Sequence, residues 1–174
     1  MHHLTLTTAP HELLSFMHNE FADEVARGDT YPQESPAGER LSREAFEGYY
    51  FAADVMLGLN VYSADVQSYG VDADSVREDV GTVVNVGINV AKGERTWEQC
   101  VAGFYYIKPN YPGRSSHICN AGFVVPFPAR GHGFARALAR SYLHYAPKLG
   151  YQASVFNLVY VNNAASIRYA VLPL

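Results

Sequence analysis

Cysteine is almost missing from this chain of 174 residues: Cys100 and Cys119 are its two, and neither a Cys-x-x-Cys nor a metal-ligand spacing joins them. That excludes a disulfide framework and leaves two free thiols as the expectation. The seven histidines are scattered, with no His-Glu-x-x-His, so no metal site is expected. No apolar run reaches the roughly 20 residues of a membrane span, and no secretory apolar segment opens the chain. A cytoplasmic protein is the expectation. Positive charge is also short: 13 Lys and Arg stand against 17 Asp and Glu, a net charge of −4. Bulk nucleic-acid binding wants a basic face, so no nucleic-acid partner is expected. Two phosphate-binding patterns are missing as well. No Gly-Lys pair exists for a nucleoside-triphosphatase loop, and Gly131-x-Gly133 is followed by Arg136 where a dinucleotide loop needs Gly.

What is present is apolar and aromatic. Hydrophobic residues make up 48% and charged residues 17%, a balance that folds into a core. Thirteen tyrosines and nine phenylalanines supply packing area. The length suits a single domain over residues 1–174. Hydrophobic periodicity predicts a strand at 4–8 and a helix over 10–27, opened by Pro10 and stopped by Gly28. A loop with Pro32, Pro36 and Gly38 follows, then a helix from Ser42, its N-cap, to 53. Strands are predicted at 55–62 and 101–108. Between them lie an acidic excursion over 63–80, a β-like stretch at 82–90 and a turn at 92–96. A hairpin-like connection at 109–113 leads to a strand over 117–125.

The most telling segment comes next. In Ala129-Arg130-Gly131-His132-Gly133-Phe134-Ala135-Arg136, two glycines and an alanine stand where a strand turns into a helix. The first N–H groups of a helix have no internal partner and carry the positive end of its dipole. Small side chains leave them open, which makes an anion site suited to phosphate. Phe134, Ala137, Leu138, Ser141, Tyr142 and Tyr145 then recur at helical spacing until Pro147 and Gly150. Residues 153–161 are rich in β-branched and aromatic side chains and read as a buried strand, and Asn162-Asn163 as the start of a last helix.

The order Arg130-x-x-Gly133-x-Ala135 resembles the pyrophosphate loop of the GNAT family of N-acetyltransferases, which bind acetyl-CoA. The segments Gly103 to Arg114, His117 to Phe123, Ala146 to Tyr151, Ser154 to Val161 and Asn163 to Arg168 are similar to one fungal subgroup of that family, which includes an acetyltransferase of the proline analogue L-azetidine-2-carboxylate. The resemblance implies an α/β fold of the acyl-CoA N-acyltransferase type. Its central sheet is mixed and mostly antiparallel, with helices on its faces.

The resemblance also implies the chemistry. Acetyl-CoA is the donor, with no metal, and a small-molecule amine, an amino acid or proline analogue, attacks the thioester directly in a ternary complex. The backbone of Phe123, Val124 and Val125 would line the thioester arm, one N–H stabilising the oxyanion. The N–H groups of Arg130, Gly131, His132, Gly133, Phe134 and Ala135 would hold the pyrophosphate, with the Arg130 side chain adding a charge-assisted contact. Asn120 would bind the acceptor's carboxylate and amine. Asn157 interrupts an apolar run, where an unpaired amide would cost about 1–3 kcal/mol, so a partner or a job is expected for it. Asn163 would reach the pantetheine arm or the reacting sulfur, or else cap its helix. Cys119 has two readings, an acyl-carrying nucleophile or a small core residue, and nothing around it marks a lowered thiol pKa, which favours the core.

The chain departs from the family after Arg168, reading Tyr169-Ala170-Val171-Leu172-Pro173-Leu174 where the family has a Trp, a turn and a final β-hairpin. A missing hairpin would leave a sheet edge open and favour a homodimer. Tyr169 is seven residues after Asn162, the spacing of the tyrosine that protonates the leaving thiolate in many relatives, and six after Asn163. Two other readings stand beside the enzyme of small amines. One is an acetyl-CoA-binding protein without activity. The other is a peptide acetyltransferase whose acidic 63–80 segment attracts a basic tail.

Overall fold

The chain's structure is a computed structural model describing residues 1–36, 38–60, 86–164 and 166–167. Its sheet runs in the order β1 (His2–Leu4), β2 (Asp54–Leu59), β3 (Val101–Pro109), β4 (Ile118–Val124) and β5 (Ala153–Ser154). All neighbours are antiparallel except β4 and β5, which are parallel. The mixed, mostly antiparallel sheet expected above is therefore present. Helices α1 (His11–Arg27) and α2 (Arg43–Tyr50) connect β1 to β2, and the short α3 (Ile88–Lys92) and α4 (Trp97–Cys100) precede β3. Helix α5 (Phe134–Lys148) connects β4 to β5. Among the described residues, no helix is long and apolar enough to cross a membrane.

β3 is central because its first seven residues are buried on both faces. Alternation sends Phe104 and Tyr106 to one side, where they meet Leu13, Met17 and Phe21 of α1 and Phe46 and Tyr50 of α2. Tyr105 and Ile107 face the other way, onto Leu138, Tyr142 and Ala146 of α5. The result is a sheet between two helical layers. α1 owes its place to apolar residues three and four apart, and α2 to Ser42, whose hydroxyl accepts from the Ala45 N–H at 3.1 Å.

Gly122 is a packing requirement. A Cβ there would lie 2.6 Å from a Tyr106 ring carbon and 2.8 Å from the Tyr31 hydroxyl. The Tyr106 ring is held edge-on by Tyr49 and Tyr50, so it has little room to yield. Gly122→Ala is expected to destabilise the fold by about 1–3 kcal/mol. An unchanged denaturant midpoint would refute that packing argument.

Several expectations need correction. The first strand is at His2–Leu4, not 4–8, because Thr5 and Thr8 close a turn through their hydroxyls, Thr5 N–H to Thr8 Oγ1 at 2.9 Å and Thr8 N–H to Thr5 Oγ1 at 3.2 Å. The helix expected to reach 53 ends at Tyr50. The described part of the 82–90 stretch turns into α3, the Ala91 N–H closing on the Gly87 carbonyl at 2.9 Å. The excursion over 63–80 lies outside the described residues. The largest change is at 153–161. Two residues pair with β4, the Val155 N–H reaches the Cys119 carbonyl at 2.9 Å, and then the chain peels away. Leu158 takes a φ of 52° and is 65% exposed, so the buried strand expected there is neither continuous nor buried.

Candidate functional site

After β5 the chain leaves β4, the Val155 N–H to the Cys119 carbonyl being the last bond between them among the described residues, while β4 itself leads into the loop that opens α5. Gly131 and Gly133 both have φ of 80°, a conformation that side chains resist, and Gly133 is the N-cap of this 15-residue helix. The first intrahelical bonds run from the Arg136 and Ala137 N–H groups to the Gly133 carbonyl, so those of Phe134 and Ala135 have no acceptor within the helix. An added Cβ at Gly131 or Gly133 would meet nothing within 4 Å. The backbone therefore faces open space, the geometry an anion needs. The rings of His132 and Phe134 stack beside it, centroids 6.0 Å apart.

The Arg130 guanidinium, expected to add a contact to the pyrophosphate, pairs with Glu24 and donates from Nε to the Val125 carbonyl at 3.0 Å. Glu24 is 4% exposed and also takes hydrogen bonds from Arg27 at 2.5 Å and Thr30 at 3.0 Å. A carboxylate buried so deeply needs such counter-charge. Arg130 thus ties the strand exit to α1. In the segment expected to line the thioester arm, the Phe123 carbonyl accepts from Tyr31 at 3.1 Å, the Val125 carbonyl is the one bound by Arg130, and Val124 packs in the core.

On the α1–α2 side of β4 lies a cavity of about 290 Å³, lined by Thr30, Tyr31, Pro32, Tyr49, Tyr106, Lys108, Asn120, Ala121, Asn157 and Leu158. Asn120 and Asn157 both line it, and the partner of the Asn157 amide is Asn110. One oxygen, Asn110 Oδ1, accepts from Asn120 Nδ2 at 2.7 Å and also from Asn157 Nδ2. Each bridging amide keeps its own oxygen and a second N–H for other partners. Lys108 pairs with Asn120 across the ladder, so the two side chains share a face. Its Nζ sits 3.6 Å from the centre of the Tyr49 ring and 4.4 Å from that of Tyr106, and donates to the Tyr49 carbonyl at 3.3 Å. Burial lowers its pKa to about 8. The hydroxyls of Tyr49 and Tyr106 are 2.8 Å apart, and burial raises the Tyr106 and Tyr31 pKa values further above the ordinary tyrosine range.

Sequence reasoning missed Lys108, Asn110, Tyr49 and Tyr106. One signal was available: Lys108 is the first charge after the apolar run of β3. Asn163 caps a helical turn, its Oδ1 accepting from the Ser166 N–H at 3.0 Å. Tyr169 lies outside the described residues. Cys119 is buried beside the Tyr142 hydroxyl at 3.1 Å, the environment of a core residue.

Residues 67–171 match the acetyltransferase (GNAT) family. The chain is 34% identical to N-acetyltransferase aca1 of Schizosaccharomyces pombe over 90% of its own length and 64% of that protein's. It is 29% identical to Protein SPT10 of Saccharomyces cerevisiae over 88% of its own length and 26% of the relative's. The chain therefore spans under two thirds of either relative. A solved GCN5-related N-acetyltransferase from Kribbella flavida superposes with a TM-score of 0.63 at 21% identity, covering 97% of this chain and 78% of that one, a likeness of fold.

Proposed function

Since the chain belongs to the acetyltransferase (GNAT) family, we propose that it transfers the acetyl group of acetyl-CoA to the amine of a small molecule. The observation that carries this reading is the placement of two features on either side of β4. An open helix N-terminus lies at one, and the asparagine-lined cavity at the other. The donor's pyrophosphate would take the N–H groups of residues 131–135, and its thioester arm would run between β4 and the 155–160 segment. The acceptor amine would approach from the cavity. Its nitrogen forms the new bond to the carbonyl carbon, the carbon–sulfur bond breaks, the amine gives up one proton and the thiolate gains one. What the protein supplies is alignment and an N–H donor for the oxyanion. Asn120 offers its Oδ1 to the acceptor's N–H groups and its second Nδ2 hydrogen to the acceptor's carboxylate. Tyr169 remains the proposed acid for the thiolate, and Asn163 a proposed contact of the arm through its Nδ2. An amino acid or proline analogue as acceptor draws support from the subgroup resemblance.

The test is turnover of acetyl-CoA against amino acids, polyamines and basic peptides. Acetylation of amino acids is expected. Binding of coenzyme A with no turnover on any acceptor would select the inactive-protein reading, and preference for peptides would select a protein-modifying enzyme. Asn120→Ala should lower kcat/KM for the acceptor by a hydrogen bond to a charged group, about 1.5–3 kcal/mol, with coenzyme A affinity retained. Equal loss of coenzyme A affinity would move Asn120 out of the acceptor pocket.

A further inference from the structure

We infer that Lys108 is the specificity-determining residue of the acceptor pocket, binding a carboxylate on the substrate, so that the acceptor is a free amino acid rather than a polyamine or a basic peptide. The inference rests on the acetyltransferase reading and names its substrate class.

The cavity's charge carries the argument. Among the described residues that line it, Lys108 is the one charged side chain, and no carboxylate is present. The acid nearest in the hydrogen-bond network is Glu24, reached through Thr30, and it is already paired with Arg27 and Arg130. A polyamine or lysine tail would thus bring positive charge into a cavity that offers it a cation and nothing to neutralise it. A carboxylate finds the reverse. The ammonium of Lys108 has three N–H donors, of which the Tyr49 carbonyl takes one. The ring faces of Tyr49 and Tyr106 stabilise the cation without neutralising it. The asparagines cannot supply charge, and one of the two N–H donors of each is already given to Asn110.

The placement also suits the task. Lys108 stands opposite Asn120 on the β3–β4 ladder, so a ligand joining a carboxylate to an amine through one carbon can touch both. Its Nζ is already held over two rings and on the Tyr49 carbonyl, so much of the entropy of ordering a long side chain is lost before a ligand arrives. With a pKa of about 8, Lys108 is still mostly an ammonium at neutral pH, and a bound carboxylate would hold it so.

The test compares L-amino acids with their C-terminal amides in the wild type and in Lys108→Met, which keeps the stem and removes the charge. The variant's KM for the acids is expected to rise about 10- to 100-fold. Its kcat should change little, and its KM for the amides should stay put. The amide's lower amine pKa affects wild type and variant alike and cancels in the ratio. Lys108→Arg should recover part of the lost affinity. Calorimetry with coenzyme A, expected unchanged, establishes that Lys108→Met is folded. The inference is overturned if acids and amides suffer equally, or if kcat alone falls, the mark of a general base. A wild type that turns over acids and amides with equal KM also overturns it, while leaving the acetyltransferase reading intact. A wild type without turnover on any acceptor sinks that reading instead. Titration of N-acetyl amino acids and their amides then decides about Lys108: acid-selective binding that Lys108→Met abolishes sustains the inference, and unselective binding or none ends it.

Discussion

Replacing Gly133 with valine will weaken coenzyme A binding at least tenfold, about 1.4 kcal/mol. Gly133 caps α5 with φ of 80°, and an added Cβ would point into open space. The substitution therefore breaks no packing contact. It imposes two other penalties. A β-branched residue resists a positive φ, which destabilises the folded chain by about 1–2 kcal/mol. Its methyl groups would also cover the N–H donors of Phe134 and Ala135, where a phosphate must approach within hydrogen-bond distance. Gly113→Val separates the two effects. Gly113 has φ of 62° and equally open space, and it belongs to the β3–β4 connection rather than to the loop that opens α5. Both variants should melt at lower temperature, and only Gly133→Val should lose affinity by calorimetry. Unchanged affinity in a folded Gly133→Val protein would remove the loop from the site.

The second large effect concerns Arg130. As the partner of buried Glu24, its loss should destabilise the fold and couple to Glu24. In a cycle of Glu24→Ala, Arg130→Ala and the double variant, a coupling of about 1–3 kcal/mol is expected in denaturant unfolding. Each single loss should fall short of the roughly 3–5 kcal/mol of a fully enclosed pair, because Arg27 and Arg130 are 39% and 42% exposed and can turn to water. The alternative role makes the opposite forecast. An Arg130 that binds pyrophosphate would weaken coenzyme A on removal and show no coupling to Glu24.

These two loop positions show where sequence is legible. Gly131 and Gly133 matter through their own backbone angles, φ of 80° at each, which a local glycine pattern announces directly. Arg130 acts through Glu24, 106 residues earlier, and no local pattern announces that partner. The same division runs through the fold. α1, the Ser42 cap and the apolar run of β3 follow from local spacing, and the structure has them where spacing puts them. The 153–161 stretch has the composition of a strand, yet only Ala153–Ser154 joins the sheet. Composition reports what a segment could pair with, not whether a neighbouring edge is offered, and here β4 diverges. Within the pocket, Asn157 is legible as a polar residue inside an apolar run, and Asn120 only through the family resemblance. Lys108 required the β3–β4 register, and Tyr49 required the packing of α2 against the sheet, both long-range facts.

Asn110 Oδ1 receives both asparagine donors, which uses its two lone pairs. Aspartate has the same shape and would accept the same two bonds, but would bring a negative charge close to Lys108 and cancel the pocket's single positive one. One nucleotide separates the two codons. If Lys108 reads the acceptor's carboxylate as inferred above, a single point mutation at this shared oxygen would remove the charge on which that preference rests, without changing the shape of the side chain.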